Sequence, residues 1–143
     1  MLAAEKTTVL TGHTGRVTGM AFFSDDPYLL TASSDRTIKM WHALKGADLY
    51  TARGHGGGVL SVATARTNLS TVISASADQT VKLWGLALIA KEHFVLSERF
   101  TLPGQGSPPR VAAISADGRL IAVAAEDGTV RLWRAPATGG KAR

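Results

Sequence analysis

No cysteine occurs among the 143 residues, so neither a disulfide framework nor a thiol nucleophile is available, and the composition fits a reducing compartment. Long hydrophobic runs are absent too. The stretch WGLALIA, Trp84 to Ala90, is far too short to span a bilayer, and MLAAEKTTVL lacks the basic flank and apolar run of a secretory signal. A soluble intracellular protein, cytoplasmic or nuclear, is expected. Catalytic signatures are also missing. His55-Gly56-Gly57-Gly58 looks like an oxyanion-hole run, but no G-x-S-x-G elbow supplies a serine. His13 and His55 stand in no His-x-His or His-x-x-x-His pair, so no metal site is expected. Gly104-Gln105-Gly106 lacks the Lys-Ser or Lys-Thr and the helix of a phosphate loop. Asp25 and Asp26 are adjacent in a Ser-Asp-Asp-Pro turn, where carboxylates point apart. No enzyme activity, cofactor or metal is therefore expected. Runs of one charge are likewise absent: 16 Lys and Arg against 11 Asp and Glu give a net charge of +5, scattered, with an excess toward the C-terminal third. That excess is compatible with nucleic acid or an acidic protein as partner, and a solvated surface explains it more simply.

What the chain does contain is a unit used three times. SSDRTIKMW (Ser33 to Trp41) returns as SADQTVKLW (Ser76 to Trp84) and AEDGTVRLW (Ala125 to Trp133), and the three tryptophans of the chain all end these copies. Upstream, TGHTGRVTGMAF, RGHGGGVLSVAT and PGQGSPPRVAAIS begin at Thr11, Arg53 and Pro103. The tryptophans lie 43 and 49 residues apart, a period that belongs to solenoids and propellers.

Inside each unit apolar residues alternate with period two and turn residues punctuate the runs, which predicts short strands rather than helices. Strand a is expected at about 17–23, 59–64 and 111–115, strand b at 28–33, 71–76 and 120–125, and strand c at 37–42, 80–85 and 129–134. A strand d is expected at 47–52 and 94–102. The segment from Trp84 to Gly104 is seven residues longer than that from Trp41 to Gly54, so GLALIAKEH should form a protruding loop or an extended strand. The base two residues before each Trp, at Lys39, Lys82 and Arg131, reads as a strand position with a solvated head.

Gly-His at the start, Ser or Thr on strand b, Asp in the b-to-c turn and Trp on strand c, all in register, resemble the WD-repeat family over nearly the whole chain, from about Thr8 to Arg134. The resemblance implies an all-β fold of propeller blades, three four-stranded antiparallel units of an incomplete or oligomer-completed ring. The expected blade units are 8–52, 53–102 and 103–135, with 136–143 a flexible tail. It also implies a hydrogen-bonded network within each blade: His13, Thr31, Asp35 and Trp41 in the first, His55, Ser74, Asp78 and Trp84 in the second. The third unit keeps only Asp127 and Trp133, because Gln105 and Val123 replace the His and the Ser or Thr.

Propellers typically close with four to eight blades. TTVLT, Thr7 to Thr11, precedes the first Gly-His and reads as a strand d with no blade of its own, whereas RAPATGGKAR after Trp133 contains Pro136 and two glycines that argue against one. Two arrangements fit: a piece of a larger WD-repeat protein, or two copies closing into a six-bladed ring by exchanging that strand. The resemblance further implies a noncatalytic scaffold that holds other proteins on the face of the d-to-a and b-to-c loops. That face would carry Thr14, Arg16, Ser34 and Arg36 from the first unit, Arg53, Ala77 and Gln79 from the second, and Gln105, Arg110, Glu126 and Gly128 from the third. Its arginines suit carboxylate or phosphate groups. A nucleic-acid-associated component, for example in RNA processing, is the alternative.

Overall fold

The computed structural model describes residues 6–23, 27–65, 71–102, 104 and 106–134. It is all-β, with eleven strands among these residues in three antiparallel sheets. The first sheet runs β1 (Val17–Phe22), β2 (Tyr28–Ser33), β3 (Ile38–His42) and β4 (Ala47–Ala52) in chain order. The second repeats it with β5 (Val59–Thr64), β6 (Thr71–Ser76), β7 (Val81–Ala90) and β8 (His93–Leu102). The third has β9 (Pro109–Ile114), β10 (Leu120–Ala125) and β11 (Val130–Arg134), and no fourth strand pairs with it among the described residues. Thr7 to Thr11, expected as a spare strand d, joins no ladder. The Asp25–Asp26 pair, Gln105 and residues 136–143 lie outside the described residues.

The period-two pattern explains how the sheets stack, because each face of a central strand meets a different neighbour. Leu30, Ala32, Ile38 and Met40 leave one face of the first sheet and pack with Val59, Val62, Val72 and Trp84 of the second. Ile73, Ala75 and Val81 leave the other face of the second sheet and pack with Ala112, Ile121 and Val123 of the third. Innermost strands are stitched directly: Thr18 Oγ1 donates to the Val59 carbonyl at 2.5 Å, and Ser61 Oγ accepts from the Ala112 amide at 3.2 Å. The stacking stops at both ends. Met20, opposite Thr31 in the first sheet, matches buried Val62, opposite Ser74 in the second, yet is 64% exposed.

The seven extra residues form the extended-strand alternative rather than a loop. β7 and β8 continue beyond the blade as a hairpin through Leu86↔Leu96 and Leu88↔Phe94. It leans on the first sheet, where the Phe94 ring lies 4.9 Å from that of Tyr28 and Lys45 Nζ reaches Glu92 Oε1 at 2.7 Å.

Two methionines give a direct test of this one-sided burial. Met40→Ala opens a cavity between the first two sheets and should lower the unfolding free energy by about 2–5 kcal/mol. Met20→Ala should change it by less than about 0.5 kcal/mol, since its side chain already faces water. Urea denaturation of both variants checks the pair, and equal losses would contradict the stacking order.

Candidate functional site

In each of the first two blades a chain of side chains crosses from the sheet centre to the loop end. Trp41 Nε1 donates to Thr31 Oγ1 at 2.8 Å, Thr31 Oγ1 lies 2.7 Å from His13 Nε2, and His13 Nδ1 lies 2.7 Å from Asp35 Oδ2. The second blade repeats it: Trp84 Nε1 to Ser74 Oγ at 2.8 Å, Ser74 Oγ to His55 Nε2 at 2.7 Å, and His55 Nδ1 to Asp78 Oδ2 at 3.3 Å. Proton counting sets the direction. A carboxylate only accepts, so Nδ1 beside it carries the imidazole hydrogen, and Nε2 of the neutral ring is left as an acceptor. The hydroxyl that accepts from the indole, which only donates, gives its own proton to that Nε2. The relay therefore runs Trp to Ser or Thr to His to Asp.

Backbone geometry makes room for it. Gly12 and Gly54 both have φ of 154°, and a Cβ at either would stand 3.1 Å from Cη2 of Trp41 or Trp84. Only glycine fits before the histidine. The indoles meet the imidazoles edge-on, with centroids 6.0 Å apart in both blades.

The carboxylates also build the b-to-c turn. Asp35 Oδ1 accepts from the Thr37 amide at 2.9 Å and its hydroxyl at 2.6 Å, and Asp78 Oδ1 does the same with Thr80 at 2.8 and 2.5 Å. Oδ2 accepts from the Thr14 or Gly56 amide of the opening loop, which pins that loop to the turn. Burial opposes the charge on Asp35, but the bonds from Thr37, His13 and Thr14 outweigh it and hold its carboxyl far below the usual range. Burial likewise opposes charge on Asp78, yet Thr80, Gly56 and His55 bring it down to about 2. His55 is held below its ordinary value, first by burial, against the pull of Asp78.

Sequence reasoning overlooked the threonine. Thr37 and Thr80 belong to this cluster, and the signal was on view, since Thr follows Asp by two residues in all three copies. It misjudged the lysines as well. Their heads are not solvated: Lys39 Nζ lies 2.5 Å from Asp48 Oδ2 and 2.8 Å from Thr51 Oγ1, and Lys82 Nζ lies 2.7 Å from Glu98 Oε1 and 2.9 Å from Thr101 Oγ1. Each joins strand c to the acid and hydroxyl of strand d.

The third blade keeps the turn and not the relay. Asp127 Oδ1 accepts from the Thr129 amide and hydroxyl at 3.0 and 2.6 Å. Among the described residues Asp127 and Trp133 share no hydrogen-bond network: buried Val123 stands where the hydroxyl would be, and the Trp133 indole packs against the second core cluster. Arg16, Ser34, Arg36, Arg53, Gln79, Arg110 and Glu126 are all exposed at the loop end. The Arg16 amide donates to Ser34 Oγ at 2.8 Å, and Arg110 Nη1 pairs with Glu126 Oε1 at 3.4 Å. Among the described residues no group of three or more His, Cys, Asp or Glu is arranged to hold a metal ion, and no helix is long and apolar enough to cross a membrane.

Stacked antiparallel blades with a repeated Trp–hydroxyl–His–Asp chain define a repeat protein of the β-propeller class. The chain belongs to the WD-repeat family, whose model, the WD domain or G-beta repeat, matches residues 4–42, 46–85 and 96–134. Among similar proteins, SIR4-interacting protein SIF2 of Saccharomyces cerevisiae is 32% identical over 134 residues, 94% of this chain and 23% of that protein. Human Striatin-3 is 34% identical over 140 residues, 87% and 17%. Polycomb protein EED of Chaetomium thermophilum is 30% identical over 115 residues, 79% and 20%. The chain thus spans less than a quarter of the length of each.

Two outcomes follow from the relay. Ser74→Ala strands the Trp84 N–H and the His55 lone pair together, and should cost about 1–3 kcal/mol by denaturant unfolding. Stability should also fall with acid in two steps. The unfolded chain protonates its His55 equivalent near 6.5 while the folded one does not, so stability drops as pH falls below 6.5. Asp78, depressed from 3.8 to about 2, adds a second loss as pH falls through that interval. Urea midpoints from pH 8 to 3 in wild type and His55→Gln check this, the variant losing the first step.

Proposed function

We propose that the chain is a noncatalytic protein-interaction scaffold of an intracellular assembly, cytoplasmic or nuclear, that presents the loop ends of its blades to an acidic partner segment. One observation carries this reading. In the b-to-c turn, Arg36 and Gln79 adopt φ of 73° and 71°, while the third unit fills the same place with Gly128 at 84°. A non-glycine residue there costs about 1–2 kcal/mol. The relay behind the turn holds its shape, so the cost keeps an exposed Arg and Gln on display where glycine would relieve it. Arg16 and Arg53 flank them at the same end of the sheets, and guanidinium binds carboxylates in a fork-like geometry. The name of one relative, SIR4-interacting protein, speaks of a protein partner of its own.

Arg36→Gly should raise stability by up to about 1 kcal/mol and weaken binding of a fluorescent peptide bearing consecutive glutamates at least tenfold. Unchanged peptide binding would sink the reading. Tight binding of single-stranded oligouridylate with a steep salt dependence would instead move the face to the nucleic-acid alternative.

A further inference from the structure

The hairpin that prolongs the second blade leaves a strand edge open in the interior of the chain. β6 accompanies β7 only as far as Thr71↔Gly85. β7 runs on to Ala90, held from there by β8 alone through Leu86↔Leu96, Ala87↔Val95, Leu88↔Phe94 and Ala90↔His93. Among the described residues no strand pairs with the other edge of residues 86–90. Along an antiparallel strand the amides and carbonyls point alternately to its two sides, so this stretch turns ladder groups away from β8. Ile89 sits in the irregularity between Leu88 and Ala90 and has no partner on β8.

The side chains do nothing to guard this edge. Proteins blunt exposed strand edges with lysine, proline or an inward charge, and Leu-Ala-Leu-Ile-Ala, residues 86–90, contains none of these. Leu88 and Ile89 are 61% and 63% exposed, and Ala87 and Ala90 are exposed with them. The hairpin is nevertheless held firmly in place. Phe94 and Leu96 are buried against the first sheet, with Leu86 packed beside them, and Glu92 at the tip takes Lys45 of the first blade. A fixed, uncharged and open edge is a template for a further strand.

The same stretch of a second copy suits it. Laid antiparallel about a two-fold axis at Leu88, residue 86 faces residue 90 of the other copy, 87 faces 89, and Leu88 faces Leu88. Every opposed pair is then apolar and no charge meets a like charge, whereas a strand bearing Lys, Arg, Asp or Glu would set an unpaired ion against Leu88 or Ile89. We propose that Leu86–Ala90 is a self-pairing edge through which two copies of the chain join their hairpins into one antiparallel sheet. It lies at the end of β7 away from the b-to-c turns, so it is independent of the loop face.

The absence of cysteine makes the test specific, because Leu88→Cys puts a single thiol on the axis. Opposed residues of an antiparallel pair have Cα atoms about 4.5–5.5 Å apart, within reach of a disulfide. Under mild oxidation the whole chain with Leu88→Cys should form a covalent dimer at least tenfold faster than with Leu44→Cys, a control whose side chain is 72% exposed on a first-blade turn. Leu88→Lys opposes two like charges and should weaken self-association about tenfold in light scattering, with the circular dichroism of the strands unchanged. Mixing the Leu88→Lys and Leu88→Glu chains should restore it, since opposite charges then meet on the axis. Equal cross-linking at 44 and 88, a wild-type chain that stays monomeric at high concentration, self-association unmoved by Leu88→Lys, or a mixture no more associated than either variant alone overturns the proposal.

Discussion

The hydroxyl between tryptophan and histidine decides most of what this structure does. Thr31 and Ser74 each accept from an indole and donate to an imidazole, so one oxygen fixes the tautomer of the histidine and through it the pairing of the aspartate. The aspartate in turn folds the b-to-c turn and ties down the opening loop. In each of the first two blades two strands, the turn between them and the opening loop thus share one hydrogen-bond chain. Such networks hold best when complete, because a member left unpaired in a low-dielectric interior costs more than the bond returns.

The third blade shows what remains when that oxygen is lost. With Val123 in the slot, the turn at Asp127 survives on its local threonine bonds, while Trp133 becomes a packing residue. Local turn chemistry and long-range bracing are therefore separable. The first needs only Asp-x-Thr; the second needs residues from two strands, the turn between them and the opening loop at once. What keeps the third sheet in place is its inner face against the second sheet, through Ala112, Ile121 and Val123.

Much of this was legible in the residues. The repeated Asp-x-Thr…Trp and the Gly-His upstream gave the blades, and period-two alternation placed the strands, because each sheet buries its two faces against different neighbours. The lysines were not legible. A base on an alternating strand looks like a solvated head, and its acid lies on another strand, nine residues on in one blade and sixteen in the other. The hairpin was half legible: loop length gave the excess, but the contacts of Phe94 and Glu92 with the first sheet follow from tertiary packing that no local pattern shows. Gln105 and the Asp25–Asp26 pair lie outside the described residues and add nothing to either side. At the ends of the stack, the structure adds something that composition hid, namely that Met20 is exposed where its counterpart Val62 is buried one blade along, and Leu132 is exposed where its counterpart Leu83 is half-buried.

The relay makes a statement about single protons, and nitrogen chemical shifts of the imidazoles read it directly. Long-range ¹H–¹⁵N correlation spectra of the folded chain at neutral pH should show His13 and His55 as the Nδ1–H tautomer, with Nε2 carrying the shift of an unprotonated, hydrogen-bonded nitrogen. Either histidine found as the Nε2–H tautomer would reverse the direction of the chain and contradict the account.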